Sequence, residues 1–243
     1  MGDIFISEKP HRFSAYIAGE ERPRHGAVIV IHEVWGLNKN IRGIADRLAR
    51  EGYLALAPDL ISHTGVTEEI DQSISAEIAN PATRDEAQKK MRAAMTPLRA
   101  PEFGKEVILR LTACYNVLQK EYQATEIAVM GFCLGGTYSY AFAASGAKLA
   151  AALPFYGHAP QEEVELRKIK CHVYAFYGEK DTALAGGLPQ LAETMRKLGK
   201  DFKYKVYPGA GHAFMNDTNP ATYNKEAATD AWQEAIQFLG EHM

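Results

Sequence analysis

Short apolar, β-branched runs alternate along the chain with longer amphipathic stretches, and that alternation predicts strands separated by helices. Residues 27–32 read Ala-Val-Ile-Val-Ile-His, almost wholly apolar, as a strand covered on both faces of a parallel sheet does. Ile41, Ile44, Ala45, Leu48 and Ala49 then recur at helical spacing, and Gly52 follows where a helix commonly stops. Comparable buried runs at 53–57, 127–130, 151–155, 173–177 and 204–207 have helical patterns between most of them. Two β-like runs at 4–6 and 12–17, separated by Lys9-Pro10, predict an antiparallel hairpin at a sheet edge. A final helix is expected over 220–239, with Tyr223, Ala227, Ala231, Trp232, Ala235, Ile236 and Leu239 near one face.

The predicted fold is α/β, a mostly parallel, doubly wound sheet flanked by helices. At 243 residues, 47% of them hydrophobic, the chain can bury one large core, so a single domain over 1–243 is expected. Residues 62–101 break the alternation. They are polar, partly helical and interrupted by Pro81, Pro97 and Pro101. Connections of that length usually serve function, and this one is read as a lid-like helical excursion within the domain.

Charge and cysteine content narrow the function. With 27 Lys and Arg against 30 Asp and Glu the net charge is -3, and no basic run offers a footprint for nucleic acid. No apolar stretch reaches the length of a membrane span, and the N-terminal residues lack a secretory pattern. Three cysteines at wide spacing form neither a disulfide framework nor a zinc pattern, and they fit a reducing compartment. A cytoplasmic monomer acting on a small molecule is the expectation. The histidines lack metal-ligand spacing, since His32-Glu33 is not followed by the second His of a zincin helix. Neither metal nor cofactor is implied.

The chemistry gathers around Gly131-Phe132-Cys133-Leu134-Gly135-Gly136. Gly-x-[Ser/Cys]-x-Gly arises by chance in roughly one chain in ten of this length. Here, however, it follows the apolar strand at 127–130 and opens a helix of small residues, the strand-turn-helix context of an α/β-hydrolase nucleophile elbow. The glycines permit the sharp turn and close helix packing, and unpaired amides at the helix start favour a thiolate at Cys133. Cys114 and Cys171 sit in apolar patterns and are read as core residues.

In this architecture the triad partners follow in the order acid, then His. Asp181 follows the run ending at Gly178, and His212 lies in the glycine-rich Pro208-Gly209-Ala210-Gly211 loop. His212 would take the thiol proton and deliver it to the leaving group, while Asp181 would fix the imidazole tautomer. Backbone N–H groups of Leu134, after the nucleophile, and of Val34, after an early strand, would form the oxyanion hole.

With Cys in the elbow, Asp181 and His212 in order at matching intervals, and His32-Glu33-Val34-Trp35-Gly36-Leu37 after the first buried strand, the chain resembles the dienelactone hydrolase family over nearly its whole length. The resemblance implies hydrolysis of enol lactones or activated esters through an acyl-cysteine in aromatic degradation, without a cofactor. It also implies that the Glu33 carboxylate contacts the nucleophilic thiol until substrate binding releases the thiolate toward His212. Trp35 is expected to line the pocket. Family members bind a substrate carboxylate with arginines, one of them shortly after the catalytic His. Here Asn216 stands in that place, able to donate a hydrogen bond but not a bidentate, charge-assisted pair. Arg84 is the favoured replacement cation, with Arg92 and Arg99 as other candidates. The alternatives are a general short-acyl carboxylesterase or thioesterase with the same triad, and a non-catalytic ligand-binding relative. The latter usually lacks a triad member, and none is missing here.

Overall fold

The computed structural model describes residues 1–8, 11–21, 23–71 and 73–243. Eight strands form one sheet: β1 (Gly2–Glu8), β2 (His11–Ala18), β3 (Ala27–Ile31), β4 (Leu54–Pro58), β5 (Ile127–Phe132), β6 (Ala151–Phe155), β7 (His172–Gly178) and β8 (Phe202–Tyr207). Among the described residues, ten α-helices connect or follow them: α1 (Lys39–Arg50), α2 (Val66–Glu69), α3 (Ile74–Ala79), α4 (Arg84–Ala94), α5 (Pro101–Lys120), α6 (Leu134–Ala143), α7 (Glu163–Lys168), α8 (Thr182–Ala185), α9 (Leu188–Lys197) and α10 (Lys225–His242).

The strand order is β1-β2-β4-β3-β5-β6-β7-β8. β1 pairs antiparallel with β2, and β2 antiparallel with β4, whereas every pairing from β4 through β8 is parallel. The expected edge hairpin is thus present. Its Lys9-Pro10 connection lies outside the described residues. Parallel pairing carries the ends of β3, β5, β6 and β7 to one carboxyl edge, where α/β sheets place their sites.

Alternation along the strands divides the core between the two faces. Ile29 and Ile31 of β3 and Val129 of β5 pack on one side with Val107, Leu111 and Leu118 of α5. Val28, Val30 and Met130 face the other, against Ile41, Ile44 and Leu48 of α1 and Trp232, Phe238 and Leu239 of α10. Among the described residues, no helix is long and apolar enough to cross a membrane.

Two predicted elements differ in detail. The last helix starts at Lys225 rather than 220 because the Asn224 side chain caps it, accepting from the Ala227 N–H at 3.1 Å. Upstream, the Thr222 and Tyr223 amides turn back to the Asn219 carbonyl, leaving Tyr223 outside the helix. The run at 204–207 is part of β8, but β8 is an edge strand with β7 as its neighbour, and Tyr204 is exposed.

The stretch at 62–101 folds as α2, α3 and α4 with short 3-10 turns, ending where Pro101 opens α5. Val66, Ile70, Ile74, Ala87, Ala94 and Leu98 anchor it in the core. At its root, buried Arg110 of α5 donates to the Asp59 carbonyl at 3.2 Å and to Glu106. Asn219 Nδ2 donates to Ser75 Oγ at 3.2 Å, joining α3 to the segment beyond His212.

Candidate active site

Cys133 occupies the turn between β5 and α6 with φ 55° and ψ -111°. Its N–H donates to the Phe155 carbonyl at 3.0 Å, tying the turn to β6. The motif glycines are required by contact: a Cβ on Gly131 would stand 2.1 Å from the Gly135 carbonyl oxygen, and one on Gly135 would stand 2.2 Å from that of Ile31. Cys133 is half-buried, and its side chain is electrostatically coupled to His212.

His212 Nδ1 lies 2.5 Å from Asp181 Oδ2, and the same ring is electrostatically coupled to Cys133. Asp181 caps the short α8 after β7. The Lys180 N–H donates to the Ala210 carbonyl at 2.9 Å, clamping the acid loop to the His loop. Desolvation pulls the His212 pKa down. Coulombic attraction to Cys133 and Asp181, together with the hydrogen bond to Asp181, outweighs it, leaving the imidazole well above its usual value. The His212 side chain is 43% exposed against 13% for Asp181.

Glu33 sits after β3 with 1% exposure. Its Oε1 accepts from the Tyr156 hydroxyl at 3.1 Å and its Oε2 from Asn216 Nδ2 at 2.7 Å. Burial raises the Glu33 pKa, and the charge of His212 and these two donors moderate the rise. Among the described residues, the hydrogen bonds of Glu33 run to Tyr156 and Asn216, whereas the thiol side chain pairs with His212. Asn216, expected to contact substrate, is fully buried and directed at Glu33.

Tyr156, which sequence reasoning missed, completes the cluster. Its ring meets His212 edge-on at 5.1 Å and Phe214 at 5.4 Å. The signal available was its place immediately after the apolar run 151–155, at the same carboxyl edge as Cys133. Three of the four non-glycine residues with positive φ among the described residues are here: Cys133, Tyr156 and Ala213. Such conformations cost about 1–3 kcal/mol each and persist where surrounding structure over-determines them.

His32 is also buried, and the Leu60 N–H donates to its Nε2 at 3.0 Å. That contact requires a lone pair on Nε2, so the proton resides on Nδ1 and is donated to the Glu33 carbonyl at 2.6 Å. Burial lowers the His32 pKa, consistent with a neutral ring that shapes the Glu33-Val34 turn. Among the described residues, neither the Val34 nor the Leu134 N–H is taken by a backbone acceptor.

Trp35 lines a cavity of about 330 Å³ with Lys39, Thr67, Ile70, Asp71 and Thr218, between the β3 turn and the excursion. A second cavity of about 330 Å³ lies between the loop after Tyr156 and helices α8 and α9, lined by Ala159, Leu166, Leu184, Leu188 and Leu191. Arg84 is exposed at the first turn of α4 and donates from Nε to the Ile78 carbonyl at 3.1 Å, within the excursion. Lys39 is a cation lining the Trp35 cavity, and Asp71 shares its wall.

A parallel sheet with a cysteine elbow, and with acid and histidine loops at one edge, has the architecture of an α/β-hydrolase. The dienelactone hydrolase family model matches residues 13–243, and the chain belongs to that family. It is 36% identical to "Putative carboxymethylenebutenolidase" of Saccharolobus solfataricus over 98% of this chain and 97% of that one. It is 32% identical to Protein usf of Aquifex pyrophilus, covering both chains fully. Its backbone is similar to a Klebsiella pneumoniae crystal structure named "Putative Dienelactone Hydrolase", with TM-score 0.77, 25% identity and coverage of 98% and 97%. It is also similar to a dienelactone hydrolase-like promiscuous phosphotriesterase from metagenomic libraries, with TM-score 0.74, 20% identity and coverage of 99% and 97%.

Proposed function

We propose that this hydrolase cleaves uncharged activated esters and lactones through an acyl-cysteine on Cys133. The observation that carries the reading is His212, hydrogen-bonded to Asp181 and electrostatically coupled to Cys133, at the carboxyl edge of the sheet.

His212 takes the thiol proton, and the sulfur attacks the carbonyl carbon. The oxyanion forms against the Leu134 and Val34 amides. Collapse breaks the carbon–oxygen bond, and His212 returns its proton to the departing oxygen. Water then gives a proton to His212 and attacks the thioester. The acid leaves, and Cys133 regains its proton. Asp181 holds the imidazole orientation and balances its charge throughout. A thiolate is a better leaving group than an amide nitrogen, whereas enolates and phenolates depart readily, so the reaction favours activated esters over amides.

The preference for uncharged substrates rests on Asn216. A carboxylate-bearing substrate needs a cation, but Asn216 supplies a neutral amide engaged with Glu33, Arg84 is engaged within the excursion, and Lys39 shares the wall of the Trp35 cavity with Asp71, whose charge offsets it. The Trp35 cavity and the leucine-lined cavity offer apolar walls, but neither lining includes Cys133, Asp181 or His212. Charge on Glu33 beside His212 stabilises the imidazolium and so favours proton transfer from Cys133 to that ring.

The test is a panel of p-nitrophenyl esters, thioesters and cis- and trans-dienelactones, with Cys133→Ala as control. Neutral esters are expected to turn over faster than dienelactones, and Cys133→Ala is expected to lose at least a thousandfold in kcat/KM. Equal activity in Cys133→Ala overturns the nucleophile; faster dienelactone turnover overturns the substrate preference.

A further inference from the structure

At the amino edge of the sheet, away from Cys133, donor atoms of His172, Asp201 and His242 all lie within 4.8 Å of one another. Three elements supply them: His172 opens β7, Asp201 immediately precedes β8, and His242 ends α10. His172 Nδ1 is 2.5 Å from Asp201 Oδ2, and the rings of His172 and His242 stack at 3.8 Å with 17° between their planes.

We propose that His172, Asp201 and His242 bind a divalent transition-metal ion of the zinc type, which staples the last helix to the sheet. Two imidazole nitrogens and one carboxylate oxygen suit zinc; magnesium and calcium prefer sets made of oxygen. Zinc–ligand bonds of about 2.0–2.2 Å place tetrahedral donors about 3.3–3.5 Å apart. The His172–Asp201 pair must open slightly and His242 must close in. His172 and Asp201, 44% and 51% exposed, have room to rotate, and the stacked His172 and His242 rings must swing apart so that both in-plane nitrogens converge on one ion. Water fills the fourth position.

The competing ligand is the proton. Around His242 stand His172, Asp201, Glu241 and Lys203, and a metal requires its imidazole in the neutral form. The ion would be structural. β7 spans seven residues, so roughly 20 Å separates this cluster from the Asp181 end of the strand.

The probe is zinc chloride, added to the tag-free, chelator-stripped full chain in the Cys133→Ala background, which removes the thiol as a rival ligand. Equilibrium dialysis at pH 7.5 is expected to give one zinc per chain, and the melting midpoint is expected to rise by roughly 5 °C or more at a hundredfold excess over the dissociation constant. A chelator should reverse the rise. Adding His172→Gln or His242→Gln should each weaken binding at least tenfold. His242 ends the last helix, so its replacement leaves the fold intact. Absence of stoichiometric zinc in the Cys133→Ala chain, or undiminished binding in both glutamine variants, overturns the site. Either result leaves the hydrolase reading untouched, because the cluster is separate from the triad.

Discussion

Glu33 combines near-complete burial with two neutral donors and an imidazole neighbour, so its ionisation is linked to both stability and reactivity. A carboxyl whose folded pKa lies above 4.5 binds its proton more tightly in the folded chain. Its contribution to stability is therefore full below pH 4.5 and declines as pH rises through the folded value. Glu33→Gln should remove that decline, measured as a flatter dependence of urea-unfolding free energy on pH above 4.5. The same variant tests reactivity: if neither turnover nor the pH dependence of Cys133 alkylation changes, Glu33 has no part in tuning proton transfer between Cys133 and His212. Much of this residue set was legible in the chain. Cys133 stands out by its glycines, and Asp181 and His212 by their order after apolar runs. The partners of Glu33 were not legible, because Tyr156 lies 123 residues and Asn216 183 residues away in sequence. Strand order brings them together, and neither belongs to a local motif.

At the scale of elements, the apolar runs foretold the central strands because burial on both faces leaves little room for polar residues. Boundaries set by side-chain hydrogen bonds were harder to read, as the Asn224 cap of α10 illustrates. Glycines separate the two kinds of constraint. Gly135→Ala drives a methyl to within 2.2 Å of the Ile31 oxygen, so it should cost about 2 kcal/mol or more and disturb the elbow. Gly240→Ala in α10 meets open space and should stabilise by about 0.5–1 kcal/mol. Denaturant midpoints of the two variants should move in opposite directions; a shift in the same direction would reject the packing account.

Across the whole molecule, burial is uneven. β3 and β5 are wholly buried, whereas α4 buries Ala87 and Ala94 in the first excursion-to-core layer. Hydrogen exchange should reach the global unfolding free energy in β3 and β5 and fall well short of it in α4. Equal protection in α4 would mean that the excursion unfolds only with the sheet. The length and polarity of residues 62–101 made the excursion legible, but where its side chains fall depends on the underlying sheet edge. One further consequence comes from the exposed side chain of His212. On the proposed route, a thioester beside so open a base is accessible to any small nucleophile in solution, not water alone. Methanol or hydroxylamine should therefore intercept the acyl group, diverting product to methyl ester or hydroxamate, so that the catalyst also performs acyl transfer.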